Sequence, residues 1–247
     1  MATSNDSWLV ATYEPITLFS LRMTLATSKG GKTLVVPTPY AVKMALIDSA
    51  FRAWSGGDAF QNAQRVFEIV KAREIRFRPP PHCVVQNTFV KALDAERDGD
   101  LPFKQTIVYR EFVAFSGGPL EIAINIQGCA TDEVATIERL FWHINSIGKR
   151  GSFWQCTGTG VVSAPLPDLY SASLAGGTLA RPEKYGLIQM LDDFGDELCR
   201  AKDGFDRLST YGSGTVTLGK HRVLTSSAVA YRLHSSAKRF TWYKRTD

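Results

Sequence analysis

Apolar and polar positions alternate almost from the start of the chain. In "WLVATYEPITLFSLRMTLA" (Trp8 to Ala26) β-branched and aromatic side chains dominate, and Thr17, Phe19, Leu21, Met23 and Leu25 share one side of a period-two pattern, which predicts a strand. The period changes after Pro37. Thr38 is placed to cap a helix with Pro39 in its first turn, and Val42, Ala45, Leu46, Ser49 and Ala50 form one helical stripe that ends near Gly56 and Gly57. Asp58 is placed to cap a second helix with Phe60, Ala63, Phe67 and Val70 on a shared face.

Glu74 to Pro79 alternates again, with Ile75 and Phe77 on one side and Arg76 and Arg78 on the other. Two β-prone runs then flank the polar turn "DAERDGD" (Asp94 to Asp100), and the second, Thr106 to Phe115, passes through Ser116, Gly117 and Gly118, read as a hairpin turn, into "LEIAINIQG". The helix from Thr131 has acids in its first turn, the stripe Val134, Ile137, Leu140, Phe141 and Ile144, and Gly148 as its stop. Ser152 to Val162 returns as a strand. Beyond it the pattern predicts a loop-rich stretch, a short acidic helix near Leu187 to Leu198 and three β-prone runs.

The resulting order, β-α-(α)-β-(hairpin)-β-β-α-β, is that of an α+β, ferredoxin-like (RRM-like) domain with an inserted helix and hairpin. On this reading residues 1–162 form that domain and residues 163–247 a β-rich C-terminal extension. Such sheets are common RNA platforms, and they host many other activities.

Composition narrows the classes. With 247 residues and 44% hydrophobic content a real core is expected, and no window reaches the roughly 18 uncharged apolar residues of a membrane span. "MATSNDSWLV" lacks the basic and apolar regions of a signal peptide, so a cytoplasmic location and no membrane partner are expected. Cys83, Cys129, Cys156 and Cys199 are too far apart for zinc-binding pairs, and His82, His143, His221 and His234 form no helical i, i+4 pair. Neither a metal nor a cofactor is expected. The net charge of +5 is concentrated: Lys29 to Arg78 holds nine Lys or Arg against four Asp or Glu, and Arg200 to Asp247 holds ten against three. That distribution fits a polyanion-binding face, and basic patches also occur on proteins that bind no nucleic acid.

Candidate chemistry begins at "SKGGKT" (Ser28 to Thr33). A nucleotide-binding P-loop needs a glycine where Ala26 stands and a helix opening at the lysine, where Pro37 and Pro39 instead follow extended chain. Nucleotide hydrolysis is therefore set aside. "IGKRGS" (Ile147 to Ser152) repeats the glycine and cation chemistry of Lys29 and Lys32: Gly148 and Gly151 let the backbone approach a phosphate, Lys149 and Arg150 supply charge, and Ser152 a hydroxyl. The alternative for this turn is a glycine-closed helix end with solvated cations. Near the C-terminus, "VLTSSAVAYRLHSSAKRFTWY" (Val223 to Tyr243) interleaves Arg232, Lys238 and Arg239 with Tyr231, Phe240 and Trp242. It reads either as a solvated hairpin with core aromatics or as a contact for a neighbouring subunit or DNA.

The first strand, the glycine- and proline-punctuated loop, the helix "PTPYAVKMALIDSAF", the strand "TIVYREFV" and the loop "IGKRGS" together resemble the RAMP superfamily of CRISPR-associated proteins. The closest likeness is to its Cas five family, over Trp8 to Val162. The resemblance implies a noncatalytic RNA-binding subunit that caps the 5′ handle of the crRNA in a type I Cascade complex, with backbone and large subunits as partners and target DNA as a further open contact. It also implies a β-hairpin thumb over residues 84–104. The implied RNA-binding set is Lys29, Lys32, Tyr40, Lys43, Gly148, Lys149, Arg150, Gly151 and Ser152, with Arg76, Arg78, Lys104 and Arg110 as further cations; Tyr40 is either a base-stacking group or simple packing. Some family members cut the repeat RNA without metal. His82 and His143 are the candidates here, and no nucleophile, base and phosphate binder converge in one motif, so binding without catalysis is the reading, with a metal-independent endoribonuclease as its alternative. The remaining alternative is an unrelated ferredoxin-like protein with a structural or metabolic role.

Overall fold

The computed structural model describes residues 6–26, 30–54, 58–95, 103–149, 151–163, 165–175, 179, 181–209 and 214–247. The first strand, β1 (Trp8–Pro15), is shorter than the alternation predicts. Pro15 lacks an N–H for the ladder, and the chain leaves the sheet there, though Phe19 still exchanges hydrogen bonds with Val113. Leu21–Arg22 (β2) is followed by Gly30–Gly31 (β3) and by Thr33–Leu34 (β4), which pairs with β2. Of the apolar positions expected on one face, Phe19 and Leu21 are buried and Leu25 is exposed.

Helix α1 (Pro39–Ala53) starts where Thr38 and Pro39 indicate: the Ala41 N–H donates to Thr38 Oγ1 at 3.1 Å, a cap worth about 1 kcal/mol. All five residues of its expected stripe are buried. Helix α2 (Ala59–Val70) packs beside α1, with Ala63, Phe67 and Val70 buried; Phe60 is 44% exposed, and the Asp58 side chain makes no capping hydrogen bond.

Two β-α-β units interleave to form the central sheet. β5 (Ile75–Arg78) follows α2, β8 (Leu120–Asn125) returns after the hairpin, and α3 (Thr131–His143) leads to β9 (Trp154–Val162). The sheet order is β5-β8-β1-β9, with every neighbour antiparallel. This is the split arrangement expected from the element order. Ile122, Ile124, Leu9 and Tyr13 meet α1 and α3 in one core, and the Tyr13 hydroxyl donates to the Phe141 carbonyl at 2.6 Å.

The inserted hairpin consists of β6 (His82–Ala95) and β7 (Phe103–Ser116), paired along their full lengths. Ser116, Gly117 and Gly118 do not make a hairpin turn. β7 belongs to one sheet and β8 to another, so the two glycines, at φ of 87° and 153°, carry the chain between sheets. Phe19, Phe115 and Trp154 form an aromatic cluster at the base, with centroids 4.6 to 6.2 Å apart. It joins the hairpin to the central sheet.

After β10 (Ala172–Ser173), Leu187–Phe194 is strand β11, not the acidic helix predicted there. The helical part is confined to α4 (Asp196–Arg200), and α5 (Gly204–Leu208) follows. β12 (Arg222–Val229) pairs with both β10 and β11. β13 (Tyr231–Ala237) then pairs with β14 (Phe240–Arg245), which adds to β6 and gives the five-stranded order β13-β14-β6-β7-β3. Leu191, Phe194, Val229 and Tyr231 join the same core as the central sheet. Among the described residues, no helix is long and apolar enough to cross a membrane.

Candidate nucleic-acid interface

Five segments meet at a cleft of about 440 Å³: β2, the start of α1, the 146–149 loop, and the Asp192 and Arg222 side chains of β11 and β12. The loop is fixed by its own backbone, since the Ser152 N–H donates to the Lys149 carbonyl at 2.9 Å and the Trp154 N–H to the Asn145 carbonyl at 3.0 Å. Gly148 takes φ of 78°, and a Cβ there would sit 3.1 Å from Leu21 Cδ2. A glycine is what lets this turn lie against β2 and hold Lys149 at the cleft.

Tyr40 occupies the first turn of α1 with its ring edge-on to Phe194 at 5.2 Å. The Arg222 guanidinium lies 4.5 Å from the Tyr40 ring centroid, forms an ion pair with the buried Asp192 carboxylate, and donates to Thr24 Oγ1 at 3.2 Å. Burial pushes the Tyr40 hydroxyl above the usual phenol range, and the neighbouring Arg222 only partly opposes it, so the group is neutral near pH 7. Arg22 donates to the Ala26 carbonyl at 3.0 Å, and among the described residues neither Arg22 nor Lys149 has a carboxylate partner. Asp48, also on the lining, pairs with Arg52 at 2.9 Å. The cleft therefore offers two uncompensated cations, a third cation over an aromatic ring, and a glycine turn. That set suits a phosphate with a planar group beside it.

The remaining sequence-indicated residues fall elsewhere. Lys32 pairs with Glu111 at 2.6 Å and lies 5.7 Å from the Tyr109 ring centroid; the same carboxylate accepts the Thr33 N–H at 2.9 Å and the Tyr109 hydroxyl at 3.2 Å. The hydrogen bond to Glu111 holds the Lys32 ammonium above the ordinary lysine range. Gly30 and Gly31 are not a turn but a short strand running parallel to Tyr109 and Arg110, and a Cβ on Gly31 would come within 2.7 Å of Arg110 Cδ and 3.0 Å of the Tyr109 carbonyl oxygen.

Lys43 is turned inward at 1% exposure, paired with Asp193 at 2.7 Å and donating to the Lys71 carbonyl at 3.0 Å, so it presents nothing to a phosphate. Ser152 is also buried, its hydroxyl directed to the Ser20 carbonyl at 3.5 Å. Arg76 pairs with Glu74 and covers the Trp8 ring, and Arg78 pairs with Glu121, both on edge strand β5. Gly151 is exposed beside the cleft loop. Lys104 pairs with Asp94 in the hairpin ladder; its side chain, like all of Lys29 and Arg150, lies outside the described residues. His82 lies on the hairpin base and His143 at the end of α3, and neither lines the cleft.

Sequence reasoning missed Arg22, Asp192 and Arg222. Arg22 and Arg222 are 200 positions apart, and no local pattern links them.

The fold and cleft define an α+β protein with a split β-α-β sheet, a projecting hairpin and a basic cleft. No protein-family profile matches the chain. It is 26% identical over 147 residues to CRISPR-associated protein Cas5 of Archaeoglobus fulgidus, a match that spans 59% of this chain and 60% of that protein's length. The chain is thus similar to Cas5, in agreement with the resemblance its motifs carry. Among solved structures it matches the crystal structure of a CRISPR protein from Archaeoglobus fulgidus with a TM-score of 0.48 and 10% identity, over 98% of this chain and 92% of that one. It also matches a chain of the Type III-B Cmr-beta complex bound to cognate target RNA, with a TM-score of 0.38 and 10% identity over 96% and 86%.

Proposed function

We propose that the chain is a noncatalytic RNA-binding subunit of a CRISPR effector complex, and that it holds the 5′ handle of the crRNA in a type I Cascade. The observation that carries this reading is the cleft itself, where Arg22 and Lys149, both without carboxylate partners among the described residues, accompany the Tyr40–Arg222 contact at the Gly148 turn. The likeness to Cas5 supports the same class of ligand. Phosphates meet Lys149, Arg22 and the backbone of the glycine turn, and an unpaired base packs beside Tyr40. Lys29, Lys32, Lys104, Arg110, Arg150 and Gly151 complete the proposed RNA-contacting set on the strength of the family resemblance. Backbone and large subunits of the complex are the expected protein partners.

Binding of labelled repeat-derived handle RNA tests the reading. Arg22→Ala with Lys149→Ala is expected to weaken it at least tenfold, and undiminished affinity would overturn it. The endoribonuclease alternative predicts cleavage of repeat RNA in EDTA that disappears on changing His82 or His143. The separation of both histidines from the cleft favours binding alone.

A further inference from the structure

Strands β14, β6 and β7 lie side by side, and their register forms three rows on one face. Lys244, His82 and Ser116 are in line, then Trp242, Val84 and Ala114, then Phe240, Gln86 and Phe112. Residues directly opposite one another share a face. The intervening positions Cys83, Val85 and Val113 are buried in the core, so these rows form the outer face.

Rings gather there. His234 of β13 approaches Trp242 to 4.2 Å between centroids, and His82 approaches it to 5.6 Å. Phe240, Gln86, Lys244 and His234 are solvent-exposed. Arg232 of β13 lies opposite Lys244 in the same row, and the β13–β14 hairpin from Tyr231 to Arg245 contains no Asp or Glu. Glu111, the acid of β7 in this register, is opposite Asn87 on the other face, where Lys32 takes it.

We infer that this outer sheet face is a second nucleic-acid site, separate from the cleft, that takes a single strand by stacking its bases on Trp242 and Phe240 while Lys244 meets its phosphates. Rows two residues apart are about 6.7 Å apart along the strands, so neighbouring rings serve different bases. Charge complementarity selects the occupant: rings in rows beside Lys244 and Arg232 match a polyanion whose bases are exposed. A duplex hides its bases and gains nothing from the rings. Stacking is indifferent to base identity and to the sugar, so DNA and RNA strands bind alike.

Fluorescence anisotropy with labelled oligo(dT) and oligo(U) of equal length, and with a duplex of that length, tests this. Both single strands are expected to bind more tightly than the duplex, and Trp242→Ala to weaken them roughly 5- to 100-fold. Trp242→Phe is expected to retain binding, which separates lost stacking from lost folding. Lys244→Gln is expected to flatten the dependence of log affinity on log salt by about one unit. The oligo(dT) arm persists in Arg22→Ala/Lys149→Ala, and handle RNA binding persists in Trp242→Ala, so failure at this face and failure at the cleft read out separately. Equal affinity of Trp242→Ala and the parent for the single strands would overturn the inference. So would a duplex bound as tightly as a strand, or self-association dispersed by Phe240→Ser in a protein that retains no oligonucleotide.

Discussion

The Arg222 guanidinium lies 4.5 Å from the Tyr40 ring centroid while it is ion-paired to Asp192, a carboxylate 2% exposed. One contact sets the cation over the ring and the other holds its charge, so a strand from the C-terminal half completes a surface begun by the first helix. Such a cation is oriented before any ligand arrives, and less side-chain entropy is lost on binding. Asp192→Asn keeps a hydrogen-bond acceptor but removes the fixing charge. Handle RNA affinity is expected to fall several-fold while the salt slope stays near that of the parent, as read by anisotropy across a salt series. Lys149→Ala, which removes a phosphate contact, is expected instead to lower the slope by about one.

Lys43 illustrates how a surface expectation fails. On a helical stripe it falls beside Val42, and α1 is covered on one side by α2 and on another by β11, which brings Asp193 to it at 2.7 Å. Burial raises the Asp193 carboxyl, and Lys43 opposes that rise. Lys43→Ala leaves the half-buried Asp193 carboxylate unpaired and is expected to cost about 2–3 kcal/mol, below the full cost of breaking a buried pair, whereas Lys43→Met with Asp193→Leu removes both charges and is expected to be near neutral. Urea denaturation of the three proteins checks both. Loss of RNA affinity in Lys43→Ala without loss of stability would return this residue to the binding surface.

These two residues also mark what the sequence reveals. α1, α3, β5, the long hairpin and the split sheet were legible because each carries its own period and stop signals, as Thr38 and Pro39 do for α1. β11 was not, because Asp192 and Asp193 look like the exposed face of an acidic helix. Each is in fact matched by a cation from another element, Arg222 and Lys43. Glycines 117 and 118 show the same limit: a turn signal locates a reversal or a bend, and sheet membership decides which. Of the cleft, Gly148, Lys149 and Tyr40 were readable from local motifs. Arg22, Asp192 and Arg222 were not, since only tertiary packing brings them together.

Glu111 ties the first loop to the hairpin, accepting from Lys32 Nζ, the Thr33 N–H and the Tyr109 hydroxyl. Lys32 has a raised pKa in the folded protein, so its contribution is fully present below the ordinary lysine value and is lost as pH rises through the raised one. Its side chain is 62% exposed, which limits that contribution to well under 1 kcal/mol after screening. Lys32→Met is therefore expected to change the melting temperature little at pH 8 and to flatten the alkaline fall in stability. Glu111→Gln is expected to cost more at every pH, about 1–3 kcal/mol, because its carboxylate is buried and bonded to a backbone N–H.

The two glycines of "IGKRGS" separate a conformational role from a merely permissive one. Gly148 has φ of 78° and would place a Cβ 3.1 Å from Leu21 Cδ2, whereas a Cβ on Gly151 would meet nothing within 4 Å. An L-residue in the left-handed region costs about 1–2 kcal/mol, which in a chain of this size is roughly 2–8 °C of melting temperature. Gly148→Ala is expected to show that loss by calorimetry and, because Lys149 follows it directly, to weaken handle RNA binding as well. Gly151→Ala is expected to melt with the parent. Its RNA affinity then isolates the backbone approach: a drop at unchanged stability means that a phosphate packs against residue 151, and parental affinity confines the contact to Gly148 and Lys149. A Gly148→Ala protein that melts and binds like the parent would remove the turn from the proposed site.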